Sequence, residues 1–230
     1  FDNQPLFGKT IVVTRSRSQA SRMTKKLLQL GARVIEFPTI DIAPVKDMSL
    51  LEEAMKDLVS YKWIIFTSQN AVNIFFDELF RSGRDVRALN SVRIAVIGEA
   101  TGRELKGYGL VPDVVPRQFV AESLLESMTP RIGKGDRILL PCSEDARPLL
   151  AESLRSMGAV VDRIHIYTSV KPELPGADVI ASVQKADCVT FASSSTARNF
   201  FEMMPHVSAP CASIGPITSK TLRELGHDPV

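Results

Sequence analysis

The chain has 230 residues, of which 44% are hydrophobic and 23% charged, a globular composition that excludes a disordered or fibrous chain. Its 28 Lys and Arg against 26 Asp and Glu give a net charge of +2, too small for sequence-independent binding of nucleic acid. No apolar run reaches the roughly 18 to 20 residues that span a bilayer, so we expect no membrane segment. Cys142, Cys188 and Cys211 form no C-x-x-C pair, which argues against a disulfide framework and favours a cytoplasmic protein.

Short apolar runs rich in β-branched residues alternate with helical patterns along the chain. Such runs are typical of strands buried on both faces of a parallel sheet, and each ends at small or polar residues suited to start a helix. The predicted strands are 10–14, 63–67, 93–98, 137–140, 188–192 and 211–215, and helices are predicted at 20–30, at 146–157 and from Ala121. This alternation predicts a doubly wound α/β fold whose ligand crevice lies at the carboxyl ends of the strands.

Two longer segments and an internal repeat predict two similar halves. Segments 33–45 and 160–172 read as extended over about twice the usual strand length of 5 to 6 residues. Extended passages of this kind can carry the chain from one lobe to another and back. The repeated blocks are 31–34 with 158–161, 65–76 with 190–201, and 97–112 with 214–229. We therefore expect a two-lobed molecule joined by two strands.

Standard catalytic signatures are absent from the sequence. His165, His206 and His227 show no metal-binding spacing, and neither a P-loop nor a nucleophile elbow occurs, so we predict no metal site. Trp63 and the phenylalanine pairs at 75–76 and 200–201 lie in apolar patterns, which predicts that they belong to the core.

Hydroxyl and amide residues follow the predicted strands at 14–16, 67–70 and 193–196. One interpretation of these residues is that they only cap the helices that follow. The alternative is a shared crevice, in which helix N-termini and hydroxyl groups bind a ligand with many carboxylates. Arg15, Arg17 and Arg147 flank such turns and suit carboxylate binding, although an exposed arginine without a partner is the commoner case.

Tyr167 lies within the second long extended segment, beside the expected cleft. One interpretation is that this tyrosine has a structural role only, in which it packs and makes one hydrogen bond. The other interpretation is a catalytic role. With an ordinary pKa of about 10, its hydroxyl is protonated at neutral pH and able to donate a proton to a leaving group. His165 is two residues earlier, so we expect it on the same strand face, as the substitute donor.

The order of these blocks resembles the uroporphyrinogen-III synthase family from Leu6 to Pro229. The matching stretches are VTR at 13–15, GARVIEFP at 31–38, WIIFTSQNAV at 63–72, IGEAT at 97–101, VP at 115–116, AESL at 121–124, Tyr167, and IGPIT at 214–218. The residues PLFGK at 5–9 resemble the junction of bacterial fusions in which a methyltransferase precedes this synthase. Such a fusion would account for a chain that does not begin with methionine.

The resemblance implies an enzyme that closes hydroxymethylbilane, a linear tetrapyrrole with acetate and propionate side chains, to uroporphyrinogen III. Ring D is inverted and water is lost, without metal or cofactor, in haem, sirohaem and cobalamin biosynthesis. Tyr167 is then the expected catalytic residue. The substrate-binding residues expected from the strand-end turns and the matched motifs are Thr14, Arg15, Thr67, Ser68, Asn70, Ala71, Gly98, Thr101, Ser193, Ser194, Gly215 and Thr218.

The family fold implies two flavodoxin-like domains, one of them discontinuous. Carried over to this chain, the discontinuous domain is 1–36 with 171–230, the inserted domain is 45–162, and 37–44 with 163–170 form a two-stranded linker. Because the first half continues to a helix from Ala121 whereas the second stops at Val230, we expect the discontinuous domain to lack its last helix. We expect a monomer. The alternative function is a two-lobed module that binds a small anion without catalysis.

Overall fold

A computed structural model describes residues 4–14 and 17–230, except for the side chains of 17–22. Contacts divide the chain into two units. The discontinuous unit is Phe1–Ile42 with Val170–Val230, and the inserted unit is Ala43–Ser169. The chain therefore passes between the units twice, after Ile42 and after Ser169.

Both units are α/β, with strands and helices alternating along most of the chain. The strands in the described part are β1 (Thr10–Val13), β2 (Arg33–Glu36), β3 (Asp41–Pro44), β4 (Trp63–Phe66), β5 (Arg93–Val96), β6 (Arg137–Ser143), β7 (Val160–Val170), β8 (Cys188–Phe191) and β9 (Cys211–Ser213). The helices there are α1 (Arg17–Gln29), α2 (Ser49–Lys56), α3 (Gln69–Arg81), α4 (Glu99–Gly107), α5 (Ala121–Met128), α6 (Leu149–Ser156), α7 (Ala177–Gln184), α8 (Ser194–Met203) and α9 (Pro216–Glu224). Within the described residues, no helix is long and apolar enough to cross a lipid bilayer.

The discontinuous unit contains a four-stranded sheet of order β2-β1-β8-β9. Its three neighbouring strand pairs are all parallel. Val12 and Val189 on the two central strands pack in one cluster with Phe191, Phe200 and Leu222. Helices α8 and α9 contribute the last two of these side chains, so the core anchors both helices against the sheet.

The inserted unit contains a five-stranded sheet of order β3-β7-β6-β4-β5, in which the pairs β4–β5, β4–β6 and β6–β7 are parallel. Strand β4 reads WIIF and is buried along its whole length, as its apolar sequence predicts for a central strand covered on both faces. Phe66 packs edge-on against Phe75 of α3, with ring centroids 5.4 Å apart. Trp63 is 1% exposed, and Phe75, Phe76 and Phe200 are fully buried, which confirms their predicted core role. Phe201 is partly buried and packs against the core of the discontinuous unit.

One expected element is wrong. Segment 33–45 is not one long strand, because β2 ends at Glu36 and β3 begins at Asp41 in the other sheet. Pro38 lies in the interruption, and proline has no N–H for a sheet ladder. Segment 160–172, in contrast, does form the long strand β7, of 11 residues.

Candidate active site at the carboxyl ends of the strands

Ser68 connects a helix start to a tyrosine on another strand. It lies two residues after the end of β4 and caps α3, since its Oγ accepts a hydrogen bond from the backbone N–H of Ala71 at 3.0 Å. The same Oγ lies 2.9 Å from the hydroxyl oxygen of Tyr167, near the carboxyl end of β7. The structure therefore brings three of the predicted site residues into direct contact at one edge of the inserted unit's sheet.

A β-bulge in β7 sets the direction of Tyr167. Cys142 of β6 pairs with His165, but the next residue, Ser143, pairs with Tyr167, which leaves Ile166 as an extra residue. Ile166 and Tyr167 are both buried, whereas His165 is exposed. The expectation that His165 and Tyr167 share one strand face is therefore wrong, because the bulge interrupts the alternation of side chains.

The surroundings of Tyr167 keep its hydroxyl protonated at neutral pH. Burial raises the pKa of Tyr167 above its ordinary value, and the hydrogen bond with Ser68 opposes that change. The neighbouring Cys142 and Asp145 raise it further. Tyr167 is thus in the protonated form that a general acid requires, and the raised pKa makes it a weaker acid than an ordinary tyrosine.

The other predicted residues of the inserted unit lie at the same edge and make no hydrogen bond with the hydroxyl of Tyr167. Asn70 is in the first turn of α3 and partly exposed. Gly98 is the N-cap of α4, and a Cβ at this position would lie 2.9 Å from the ring of Phe119. Thr101, by contrast, is only 4% exposed, which limits what its side chain can offer a ligand.

A cavity of about 170 Å³ opens beside these residues at the ends of β4, β5 and β6. Its lining residues are Thr67, Ile97, Ala121, Leu140, Cys142, Ala146, Arg147, Leu149, Leu150 and Arg163. Arg163 is not among the residues that the motifs predict. The signal that would have found it is a charged residue inside a strand whose neighbours Val161 and Ile164 are buried.

The discontinuous unit repeats the use of a serine at a helix start. Ser193 caps α8, where its Oγ accepts from the backbone N–H of Thr196 at 3.2 Å and Thr196 bonds back in a capping box. The hydroxyl of Ser194 accepts a hydrogen bond from Thr221 of α9 at 2.8 Å. Both predicted serines therefore also have structural partners.

Two buried threonines and one glycine complete the predicted residues of this unit. Thr14 is fully buried, and its hydroxyl donates to the carbonyl of Thr190 at 2.7 Å. Thr218 is 4% exposed, whereas Gly215 is partly exposed as the N-cap of α9. Arg15 lies outside the described residues. A small, mostly apolar cavity of about 150 Å³ lies at this edge, lined by Met23, Thr190, Phe191, Ala192, Ala212, Ser213 and Ile214.

Helix N-termini dominate the chemistry that these two strand-end edges offer. Helices α3, α4, α8 and α9 all begin at them, and the first N–H groups of a helix have no partner within it. Such groups, together with hydroxyls, bind anionic oxygens. Among the described residues, no three His, Cys, Asp or Glu side chains are grouped so as to hold a metal ion.

Comparison with known proteins places the chain in a family. Residues 21–230 match the family described as Uroporphyrinogen-III synthase HemD. Uroporphyrinogen-III synthase of Synechococcus elongatus is 35% identical over 238 residues, which cover 96% of this chain and 88% of that protein. The porphyrin biosynthesis protein HemD of Ruminiclostridium josui is 31% identical over 223 residues, 96% of this chain but 44% of that protein. A crystal structure of uroporphyrinogen-III synthetase from Helicobacter pylori, 16% identical, has the same fold, with a TM-score of 0.62 over 96% of this chain and 91% of that chain. The chain belongs to the uroporphyrinogen-III synthase family.

Proposed function

We propose that the chain is a uroporphyrinogen-III synthase, a lyase that cyclises hydroxymethylbilane to uroporphyrinogen III with inversion of ring D and loss of water. The observation that carries this proposal is the family match over residues 21–230. The strand-end edges, with their helix N-termini and hydroxyl groups, suit a substrate that carries an acetate and a propionate on every ring.

Holding the substrate in the correct conformation contributes more to this reaction than acid–base assistance does. Loss of the hydroxyl group from hydroxymethylbilane leaves an azafulvene cation that the pyrrole itself stabilises. Ring D then attacks through its substituted carbon, and fragmentation of the resulting spiro intermediate with re-closure inverts the ring. Since uncatalysed closure gives isomer I, the enzyme's main task is to hold the chain bent so that the direct attack is excluded.

Tyr167 is the proton donor to the departing hydroxyl in this mechanism. Its hydroxyl is protonated at neutral pH, as a proton donor requires. The 2.9 Å hydrogen bond with Ser68 decides where the tyrosine proton points, because either oxygen can be the donor. When Ser68 donates its proton to Tyr167, the tyrosine proton is free to point at the substrate. Ser68 Oγ still accepts the Ala71 N–H at the same time.

Substrate carboxylates are bound by many weak contacts rather than by one strong one. The partly exposed predicted residues, Thr67, Ser68 and Asn70 in one unit and Ser193 and Ser194 in the other, offer side-chain hydroxyl or amide groups. Thr14, Thr101 and Thr218 have buried side chains. Gly98 and Gly215 offer backbone groups, whereas the N–H of the buried Ala71 is already donated to Ser68. Arg15 belongs to the predicted set by its position after β1.

We also infer that the two units are flavodoxin-like domains related by an internal repeat. Ser68 and Ser193 support the repeat, because both cap a helix through the backbone N–H three residues on. Gly98 and Gly215 support it as well, since both are N-caps with fully extended backbone. The neighbouring strands β3 and β7 support a two-stranded linker at 37–44 and 163–170.

A monomeric state and an upstream methyltransferase in the native chain complete the proposal. The length of the Ruminiclostridium josui relative, of which this chain spans 44%, is compatible with a second domain in some family members. Light scattering during size-exclusion chromatography measures the first point. The reading frame upstream of Phe1 tests the second.

The decisive experiment is chromatographic separation of the products formed from hydroxymethylbilane. We expect isomer III, formed much faster than isomer I forms without enzyme. Isomer I alone, at the uncatalysed rate, would overturn the proposal. If the chain nevertheless bound the tetrapyrrole, the alternative function of a non-catalytic anion-binding module would replace it.

A further inference from the structure

The cavity of about 170 Å³ in the inserted unit, which we call the Arg163 cavity, has two cationic side chains and no acidic one among its lining residues. Arg163 reaches it from β7, and Arg147 from the loop before α6. The remaining walls are mostly apolar. Glu144 and Asp145 are in the same loop as Arg147, but both are exposed and neither lines the cavity.

Arg163 is partly buried, and in the part of the chain that the structure describes it has no ion-pair partner within 4.0 Å. One of its terminal nitrogens, Nη2, donates to the carbonyl of Ala146 at 2.5 Å. Its guanidinium also lies beside the thiol of Cys142. Burial raises the pKa of this thiol, and Arg163 partly opposes that change. Since a guanidinium carries five N–H donors, several remain for an anion. A partly buried charge without a counter-ion is costly, which favours an anionic ligand here.

The Arg163 cavity lies at the same sheet edge as the Ser68–Tyr167 pair. Thr67 lines the cavity, and the next residue, Ser68, contacts Tyr167. Cys142 connects the two places as well, because it lines the cavity and also raises the pKa of Tyr167. The cavity and Tyr167 therefore lie at the same end of one sheet, where a single extended ligand can meet both.

The lining matches a short acid side chain. Ile97, Leu140 and Leu149 provide apolar walls against which methylene groups can pack. Arg163 provides the planar fork of donors that binds a carboxylate through two parallel hydrogen bonds. We propose that the Arg163 cavity receives one acidic side chain of the linear tetrapyrrole and that Arg163 pairs with its carboxylate; this inference rests on the proposed function.

The test compares two arginines that each donate to a backbone carbonyl. Arg163→Gln removes the charge from the cavity. Arg155→Gln is the matched control, because Arg155 Nη2 donates to the carbonyl of Val161 at 2.7 Å but does not line the cavity. The dissociation constant of uroporphyrinogen III is measured by calorimetry under reducing conditions, at several salt concentrations, together with isomer III formation by each chain.

Arg163→Gln should weaken binding by about tenfold or more, the effect of losing a charge-assisted hydrogen bond, whereas Arg155→Gln should leave affinity unchanged. Affinity of Arg163→Gln should also depend less on salt, which a purely structural defect would not cause. Ala121→Leu, which fills the cavity but keeps both arginines, should weaken binding even if Arg163→Gln fails to fold.

Two outcomes would overturn the inference, and they are distinguishable. If the unmodified chain forms isomer III but Arg163→Gln and Ala121→Leu both bind as tightly as it does, the Arg163 cavity is not a subsite and the proposed function stands. If the unmodified chain forms only isomer I and does not bind the tetrapyrrole, the proposed function fails and the subsite with it.

Discussion

The hydroxyl oxygens of Ser68 and Tyr167 lie 2.9 Å apart, and Ser68 is at the same time the N-cap of α3. The Ser68 side chain therefore caps a helix and also forms a hydrogen bond with the tyrosine hydroxyl. Tyr167→Phe removes the contact and keeps the cap, whereas Ser68→Ala removes both, so the two roles are separable by substitution.

Tyr167→Phe should lower turnover by roughly 10- to 100-fold, because general acid assistance is lost while the ring still fills its place. The Michaelis constant for hydroxymethylbilane should change little, since the hydroxyl acts on the leaving group. Steady-state kinetics of isomer III formation measures both. The exposed His165 provides the control: His165→Ala should remain active. Full activity of Tyr167→Phe with an inactive His165→Ala would transfer the role to the histidine.

Ser68→Ala should lower the free energy of unfolding by about 1 kcal/mol, the usual effect of losing a helix N-cap. It should also lower turnover, because Tyr167 loses the partner that orients its proton. Ser68→Thr keeps a capping hydroxyl and should restore most of both. Urea unfolding and turnover are measured on the same preparations. Loss of stability in Ser68→Ala with unchanged turnover would restrict Ser68 to capping.

Distributed carboxylate binding predicts that single neutral substitutions are mild. Asn70→Ala and Ser194→Ala should each weaken binding of uroporphyrinogen III by about 1 kcal/mol, or roughly fivefold, as for one neutral hydrogen bond with water nearby. Calorimetric titration of the single variants and the double variant measures this. If Asn70→Ala alone abolished binding, recognition would be concentrated at α3 and the distributed description would fail.

Gly98→Ala and Gly215→Ala form a matched pair. Both positions have extended backbone that any residue adopts, with φ of −176° and 178°. A Cβ at Gly98 would lie 2.9 Å from the Phe119 ring, whereas one at Gly215 meets nothing within 4 Å. Gly98→Ala should therefore lower the free energy of unfolding by about 1 kcal/mol, as steric crowding does, and Gly215→Ala should leave it nearly unchanged. Adding Phe119→Ala should abolish the difference. Equal stability of the two single variants would mean that Phe119 moves away freely.

Stability should fall at alkaline pH. Burial raises the pKa of the Cys211 thiol from its ordinary 9.0 to about 11, and it also raises the pKa of Cys142, Cys188 and Tyr167. The folded chain holds these protons more tightly than the unfolded chain does. Their contribution is thus complete below pH 9 and, for Cys211, is lost as the pH rises from about 9 to 11.

Urea unfolding at intervals between pH 7.5 and 11 measures this dependence. Cys211→Ala serves as the control, because it removes one titrating thiol and should make the decline shallower. A free energy of unfolding that stays constant up to pH 11 in the unmodified chain would contradict the expected direction.

The strands could be predicted from the sequence because apolar runs such as Trp63–Phe66 are buried on both faces. The break between β2 and β3 at Pro38 was not predicted for segment 33–45, although proline is a visible signal of such a break. The bulge in β7 has no such signal, since it depends on how β6 and β7 pair. For that reason the different faces of His165 and Tyr167 required a structure.

The predicted site depended on capping residues, which have a local sequence signal. Ser68 and Ser193 were found because they precede helical patterns. The contact between Ser68 and Tyr167 joins residues 99 positions apart, so no local pattern predicts it. Arg163 did have a local signal, a charge inside a buried strand, but the cavity that it lines is formed by segments distant in sequence.

The division of the chain sets an order for folding during synthesis. All residues of the inserted unit, Ala43–Ser169, are contiguous, so its sheet is complete in sequence once the end of β7, Val170, has left the ribosome. Strand β1 must wait longer, because its partner β8 begins only at Cys188. Until β8 has been synthesised, β1 can pair only with β2. We therefore expect the inserted unit to become resistant to proteolysis before the discontinuous unit does on stalled ribosomes.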